Sequence, residues 1–387
     1  MNSKDQSKRK RPSKELHNEY EGYTWDMVNP SIDRVDNSIS AKEFFQRYIS
    51  KRRPCILINP SKSKITAQLI CQVAGDAEVQ VERRTDETKT YGQNRSKEYQ
   101  VNLTIDAFWK HLQDGKSREL YYLSTQESDD TFSTPCRQLL EAGHISATLE
   151  WAGSLLLQSC NLWWGASKES SSGLHHDFHD NFYLVQSGIK RFRLFPPSYN
   201  VSVYGEIETI HRNGLISYRN NPTRADGVPI SKRAKLDEND SDEEDSDEDQ
   251  AFIGKGFDYE SDNSDDFQLK DNGNDDYDEL VGHEDNDDEG SDASTDKKMR
   301  VEIGPDNSRP DHFSPLHPDD VADLGLTVEI HPGECLYLPC GWFHHVTSLC
   351  TNGECHMALN YWYHPPDCLE CFEDPYSHRD DLCLAKT

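Results

Sequence analysis

A mainly β fold is predicted for this sequence: a barrel or sandwich of short antiparallel strands, preceded by helices and interrupted by one long polar insert. Short apolar runs separated by Gly and Pro turns recur from about residue 155 onward, which is typical of small antiparallel strands. Apolar residues at helical spacing are confined to the first third of the chain. Most of the net charge lies in a single segment that has almost no apolar periodicity.

The N-terminal part is predicted to be a disordered basic tail (residues 1–18) followed by a helical and β support region (residues 19–150). Ser40 is a typical helix N-cap, and the apolar residues that follow it up to Ile49 share one helical face. The other elements predicted in this region are a buried strand at 55–58, helices at 65–73 and about 105–112, and a strand at 120–123.

The β core is predicted to be divided, with a first part at residues 151–221 and a second part, which includes a C-terminal segment, at residues 309–387. Its predicted strands lie at 155–164, on both sides of a Gly188 turn between 174 and 197, and at 327–330, 335–338 and 357–363.

The segment between the two parts, residues 222–308, is predicted to be a disordered acidic insert. Between Asp237 and Lys297 it holds 27 acidic residues and three lysines, which is −24 of the formal net charge of −29. Such a segment cannot bury enough apolar area to offset the entropy lost on ordering. The rest of the chain is close to neutral, so the acidic composition says little about a functional site.

Composition also argues against some classes of protein. No apolar run of 18 or more residues is present, so no membrane-spanning helix is predicted. The N-terminus is basic and lacks the apolar core of a secretory signal. The 11 cysteines are therefore expected to be reduced core residues, as at Cys55 and Cys335.

A first candidate site is the segment that contains His175, His176 and Asp177. Side chains alternate along a strand, so His175 and Asp177 are predicted to share one face while His176 points to the other. An imidazole and a carboxylate on one face are two of the three ligands of non-haem Fe(II) oxygenases. On its own, this pattern also fits a solvated loop.

A second candidate is the turn that follows the strand ending at Pro339, where Gly341, Trp342 and Phe343 precede His344 and His345. Alternation predicts that His344 points into the core and His345 away from it. An aromatic–His turn can also be a packed rim with no chemical role.

Taken together, the two motifs resemble the Jumonji C family, in its compact members that have no further domain. Members of that family have a His-x-Asp strand, a lysine further along the chain and a late Gly-Trp-x-His turn. In this sequence Lys190 follows His175 at the spacing that is usual in the family. The resemblance implies a double-stranded β-helix (jelly roll, or cupin) core. It also implies an oxygenase that uses Fe(II), 2-oxoglutarate and O2, with His175, Asp177 and His344 as the metal ligands.

The resemblance further implies that Lys190, Tyr122 and Ser172 meet the distal carboxylate of 2-oxoglutarate. A dicarboxylate in a dry site needs a fixed cation and hydrogen-bond donors, which agrees with these residue types. Two alternatives stay open, because Tyr121 can take the place of Tyr122 and Lys190 can be a surface strand residue.

Three more residues match positions that line the pocket in the protein-hydroxylase branch: Asn181, Asn360 and Trp362. Trp362 also fits a plain core position. One feature departs from the family, because Asp177 and His344 lie about twice as far apart in sequence as is usual. The acidic insert accounts for the excess, since long surface insertions cost little loop-closure entropy.

Two other motifs suggest further properties. The basic clusters at residues 8–12 and 232–235 resemble nuclear import signals, so a nuclear location is predicted, with the cytoplasm as the alternative. Cys368, Cys371, His378 and Cys383 are candidate zinc ligands, although a single well-spaced pair is a weak pattern.

The predicted function is hydroxylation of a protein side chain, with a basic nuclear protein as partner and with neither direct nucleic-acid nor membrane binding. Methyl-lysine demethylation is the enzymatic alternative. It needs several aromatic rings around the ammonium, and the sequence places only Trp362 and Tyr183 there. A non-catalytic acidic binding protein is the alternative from another class. The oligomeric state and the substrate stay open.

Overall fold

The computed structural model describes residues 16–25, 30–58, 64–84, 99–124, 126, 130–199, 201–219, 312–350 and 353–377. The basic tail up to residue 15, the insert at 222–308 and both import-like clusters lie outside these residues, so the expectations for them stay predictions. So do the predicted domain boundaries. No helix in the described part of the chain is long and apolar enough to cross a bilayer.

The strands of the described residues are β1 (His17–Asn18), β2 (Asp33–Asp36), β3 (Cys55–Ile58), β4 (Glu78–Arg83), β5 (Gln100–Thr104), β6 (Tyr121–Leu123), β7 (Leu157–Gly165), β8 (Glu169–Ser171), β9 (His175–His176), β10 (Asp180–Ser187), β11 (Ile189–Phe195), β12 (Ile207–Ile210), β13 (Ile216–Tyr218), β14 (Leu326–Ile330), β15 (Glu334–Leu338), β16 (Phe343–Leu349) and β17 (His356–Tyr363). The predicted core strands are confirmed to within two residues at each end, with one exception. The strand predicted from residue 174 to the Gly188 turn is divided into β9 and β10, and β10 begins only at Asp180.

Two large sheets form the core, which confirms the predicted jelly roll. The larger sheet has the order β2-β3-β15-β10-β17-β7-β6-β4-β5, and the smaller has the order β14-β11-β16-β8 with β9 paired to β16. They pack together through apolar side chains such as Tyr183 and Val185 on one sheet and Phe192 and Leu194 on the other. Burying one such side chain contributes about 1.5–3 kcal/mol relative to exposure. A third, small sheet has the order β1-β12-β13.

Helices cover the other face of the larger sheet. They are α1 (Ala41–Phe44), a π-helical turn (Phe45–Ile49), α2 (Ala67–Ala74), α3 (Ile105–Gln113) and α4 (Cys136–Glu141). Three of them have the side-chain N-caps that hydroxyl residues provide: Ser40 accepts from the amide of Glu43, Thr66 from that of Leu69 and Thr104 from that of Ala107. Their buried apolar residues share one cluster with β7, β15 and β17.

A buried ion pair ties the N-terminal region to the two motif segments. Asp180, at the start of β10, accepts hydrogen bonds from the guanidinium of Arg52, the hydroxyl of Tyr337 and the amide of Cys340. The indole of Trp342 in turn donates to the carbonyl of Arg52. An unpaired charge at this depth costs about 3–5 kcal/mol, so the pair fixes the turn that leads into β16.

Two differences from the sequence-based prediction have clear causes. The helix after Ser40 widens into a π turn, with the amide of Ser50 donating to the carbonyl of Phe45. Nine residues are too few for apolar periodicity to separate an α turn from the wider one. Helix α4 and the strands β12 and β13 were not predicted, because each of these three elements offers only two or three apolar residues to a pattern search.

Candidate functional site

Residues of both large sheets line a cavity of about 240 Å³. Eight of the nine predicted metal and pocket residues line it, all except Lys190, together with several residues that the sequence did not indicate. Those predicted are His175, Asp177, His344, Tyr122, Ser172, Asn181, Asn360 and Trp362. Strand alternation explains the convergence, since these side chains come from the inward faces of strands or from loops beside them.

Two histidines and an aspartate converge on one wall of this cavity. In the antiparallel pair of β9 and β16, His175 lies opposite His344, with 4.3 Å between the ring centroids. The carboxylate of Asp177 lies 3.8 Å from Nε2 of His175 and 3.7 Å from Nε2 of His344. One ligand atom from each of the three residues fits within 4.8 Å of the others. This is the donor set of the facial triad that holds non-haem Fe(II).

Backbone contacts fix the orientation of both imidazoles. Nδ1 of His175 lies 2.8 Å from the carbonyl oxygen of Gly173, and Nδ1 of His344 lies 2.9 Å from that of Trp342. A carbonyl only accepts, so each Nδ1 carries the proton and each Nε2 presents a lone pair toward Asp177. Burial and the neighbouring His344 lower the pKa of His175 to about 4, which keeps this ring neutral and able to bind a metal.

The neighbouring histidines point elsewhere, as strand alternation predicts. His176 is fully buried behind β9, where its Nε2 meets the hydroxyl of Tyr218. His345 lines a separate surface cavity beside Arg193. The loop geometry also explains Gly341: its amide donates to the carbonyl of Asp177, its φ is +73°, and a Cβ there would collide with the carbonyl of Gly214.

Lys190 lies in the smaller sheet with its ammonium in the protein interior, so it is not a surface strand residue. Its side chain is 0% exposed, and Nζ donates to Oγ of Ser348 at 2.7 Å. The ammonium also lies 5.7 Å from the ring centroid of Tyr122 and 6.0 Å from that of Tyr183. Burial lowers the pKa of Lys190 to about 7. Ser348 and both tyrosines line the cavity, so this ammonium lies directly behind its wall.

The structure places Tyr122, and not Tyr121, at the cavity. Tyr122 is buried and pairs with Gly165, whereas Tyr121 stacks on His111 outside it. Ser172 also lines the cavity, and its hydroxyl is engaged by the backbone, donating to the carbonyl of Gly173 and accepting from the amide of Val346.

The amide side chains at the cavity hold unused hydrogen-bonding capacity. Both polar atoms of the Asn360 side chain and Oδ1 of Asn181 are buried. None of these three atoms has a hydrogen-bond partner among the described residues. The indole NH groups of Trp163 and Trp362 are likewise unpaired. Buried polar groups are nearly always hydrogen-bonded to protein, water or ligand, so these four side chains offer hydrogen bonds to whatever occupies the cavity.

The aromatic lining is richer than the sequence indicated, since the sequence-based prediction placed only Trp362 and Tyr183 there. Six aromatic side chains line the cavity: Tyr122, Trp163, Tyr183, Phe192, Phe313 and Trp362. Phe313 stacks on His175 at 4.8 Å between ring centroids. Phe313 lies just after the predicted acidic insert and outside any predicted strand, so the sequence did not indicate where its side chain points. His356, which contacts Lys190, was missed for a similar reason, because it precedes the apolar run of β17.

The candidate zinc ligands are only partly described. Cys368 is buried and Cys371 is exposed, whereas His378 and Cys383 lie outside the described residues. The zinc site therefore stays a prediction. All of the described cysteines are free thiols, with Cys55 and Cys335 buried as expected.

Comparison with known proteins gives one family match and several relatives. The cupin-like domain family matches residues 41–368. A JmjC domain-containing protein 4 of Schizosaccharomyces pombe is 31% identical, over 89% of this chain and 86% of the relative. A protein of Arabidopsis thaliana named lysine-specific demethylase JMJ32 is 24% identical, over 91% of this chain and 87% of the relative. JmjC domain-containing protein E of Dictyostelium discoideum is 25% identical over 44% of this chain and 54% of the relative.

Proposed function

This chain belongs to the Jumonji C family of cupin-like domains, and we propose that it is an Fe(II)- and 2-oxoglutarate-dependent dioxygenase that hydroxylates a protein side chain. The observation that carries the proposal is the pairing of a preorganised His–Asp–His triad with a buried lysine behind the same cavity. The triad alone fits several metals. The buried lysine favours an anionic cosubstrate, because its ammonium would pair with a carboxylate.

The triad residues would hold Fe(II) through Nε2 of His175, Nε2 of His344 and a carboxylate oxygen of Asp177. Three protein ligands would leave coordination positions open for 2-oxoglutarate and O2. When bound, Fe(II) and 2-oxoglutarate supply the oxidation, in which O2 and the 2-oxo acid give succinate, CO2 and one oxygen atom inserted into a C–H bond. The contribution of the chain is to fix the ligand tautomers, exclude water and orient the substrate.

Lys190 would hold the distal carboxylate of 2-oxoglutarate, together with Tyr122 and with Ser172 nearby. No carboxylate of the described residues pairs with this ammonium, whose nearest polar neighbours are Ser348 and His356. Moving an unpaired cation out of water costs several kcal/mol. A ligand carboxylate at the cavity wall offsets that cost, which supports a dicarboxylic cosubstrate.

The lowered pKa of Lys190 leads to a prediction about pH. Below pH 7 the ammonium is already present, whereas above pH 7 a carboxylate can bind only with uptake of a proton. We therefore expect the affinity for 2-oxoglutarate to fall by up to about tenfold per pH unit above pH 7, with uptake of up to about one proton. Calorimetry in two buffers of different ionisation enthalpy measures this uptake. Lys190→Arg is the control, because its guanidinium stays charged.

The substrate assignment rests on the amide groups of Asn181 and Asn360. Their unpaired atoms suit hydrogen bonds to a peptide backbone or to a polar side chain, so we propose a protein substrate. Methyl-lysine demethylation is the second candidate. The six rings at the cavity favour it, and so does the name of the Arabidopsis relative.

Product analysis separates these two reactions. We expect the purified chain, with Fe(II) and 2-oxoglutarate, to give a +16 Da product on a protein in nuclear extract without release of formaldehyde. Asp177→Ala serves as the control for background oxidation. Stoichiometric formaldehyde from methylated histone peptides, with no +16 Da product in the extract, would instead establish demethylation.

The choice of partner follows from charge. The acidic segment between Asp237 and Lys297 would attract basic segments of a nuclear partner, by long-range forces that salt screens. An acidic binding protein without catalysis remains the alternative from another class. It gives no reason for the triad geometry or for the burial of Lys190.

A further inference from the structure

His356 is a buried histidine that lies beside Lys190 and contacts two residues of the cavity wall, Ser170 and Tyr122. It is the first residue of β17 and is 0% exposed. Its Nδ1 lies 3.4 Å from Nζ of Lys190, and its Nε2 lies 3.4 Å from Oγ of Ser170, which lines the cavity. Its ring also lies 5.7 Å from the ring of Tyr122.

These contacts define the protonation of the ring. A lysine ammonium only donates, so Nδ1 of His356 must accept and the proton of the neutral ring must lie on Nε2, toward Ser170. Burial, Lys190 and Arg84 all hold the pKa of His356 well below its ordinary value, so the ring stays a neutral acceptor. His356 therefore adds no positive charge beside the ammonium of Lys190.

Two glycines lie against His356, and one of them makes room for its imidazole. A Cβ at Gly165 would lie 2.7 Å from Cε1 of His356 and 2.6 Å from Cδ2 of Tyr122. A Cβ at Gly188 would lie 2.7 Å from Cβ of His356, and the φ of +69° there also favours glycine. Gly165 thus leaves space for the ring, Gly188 leaves space for the backbone that carries it, and each ring nitrogen has a polar partner.

We infer that His356 is a positioning residue, which holds the ammonium of Lys190 in place to meet the distal carboxylate of 2-oxoglutarate. The inference rests on the proposed function. Lys190 has a long, flexible side chain, and Ser348 alone restrains it through one bond. The imidazole supplies a second acceptor. The hydroxyl of Ser170 can accept the proton on Nε2, so the three side chains form a chain of contacts that ends at the cavity.

The test compares two ligands on protein loaded with Mn(II), which replaces Fe(II) without turnover. 2-Oxoglutarate has a distal carboxylate, whereas oxalate chelates a metal but has none. We expect His356→Leu to raise the Kd for 2-oxoglutarate about tenfold or more, since a hydrogen bond to a charged group is lost. The Kd for oxalate should stay within about twofold, because oxalate has no distal carboxylate that would reach Lys190. His356→Asn, whose amide oxygen can accept from Lys190, should restore most of the affinity.

A purely structural role for His356 would weaken both ligands together, so parallel losses contradict the inference. Equal 2-oxoglutarate affinity in wild type and His356→Leu also contradicts it, while leaving the proposed function intact. Failure of the wild type itself to bind 2-oxoglutarate overturns the proposed function, and the inference with it.

A second measurement does not depend on how the apolar variant folds. In wild-type protein with ¹⁵N-labelled histidine, the His356 ring should be neutral and protonated at Nε2. Its signals are identified by their loss in His356→Asn. A ring protonated at Nδ1 would show that Lys190 does not donate to it, and would overturn the inference.

Discussion

Loss of metal binding is expected when any one of His175, Asp177 and His344 is replaced by alanine. Each substitution removes one of three protein ligands, and changes to outer-shell partners alone already cost about 10–100-fold in metal affinity. We therefore expect Fe(II) affinity to fall by more than about 100-fold. The measurement is titration of the apoprotein with Fe(II) under anaerobic conditions, or with Mn(II) in air.

The control for this prediction is His345→Ala. His345 follows a triad ligand in sequence but faces another cavity, so metal affinity should not change. His176 is a poorer control, since it is fully buried and its loss would disturb packing behind the triad. If His345→Ala abolished metal binding while His344→Ala did not, the direction of β16 would be assigned wrongly.

The second large effect is expected at Lys190. Lys190→Ala leaves the distal carboxylate of 2-oxoglutarate without its cation, and truncating one partner of a buried charge pair costs about 2–5 kcal/mol. The apparent KM for 2-oxoglutarate should rise at least about tenfold, since 1.4 kcal/mol is a factor of ten. Metal affinity should be retained, because Lys190 contacts none of the triad residues.

Arg191→Ala is the matched control for Lys190→Ala. Arg191 is the next residue of β11 and points outward, where it pairs with Glu329 at the surface. Surface ion pairs contribute about 0–1 kcal/mol, so neither the stability nor the KM should change greatly. An unchanged KM in Lys190→Ala would place the distal carboxylate elsewhere in the cavity.

Strand alternation predicted which side chains of the two motifs share a face, and the family resemblance implied that they are metal ligands. A period of two along β9 and β16 separates His175 and Asp177 from His176, and His344 from His345, without any knowledge of the fold. Short apolar runs between Gly and Pro turns predicted most of the core strands. The position of Lys190 relative to His175 depended on the family resemblance, since an isolated lysine in a strand is ordinarily exposed.

Other parts of the site depend on strand pairing, which the sequence does not reveal. His356 lies 166 positions after Lys190 in the chain, and the two meet only because β17 pairs with β7 and β10. Trp163 and Phe313 reach the cavity through the same kind of long-range arrangement. The buried pair of Arg52 and Asp180 could not be predicted either, since Arg52 belongs to a basic turn that reads as exposed.

The most direct measurement of the central proposal is the Fe(II)-dependent conversion of 2-oxoglutarate to succinate by the purified full-length chain. We expect succinate formation that needs both Fe(II) and O2, is lost in Asp177→Ala, and persists in His345→Ala. Succinate formation by wild type no greater than that by Asp177→Ala, with Fe(II) and 2-oxoglutarate both shown to be bound, would contradict it.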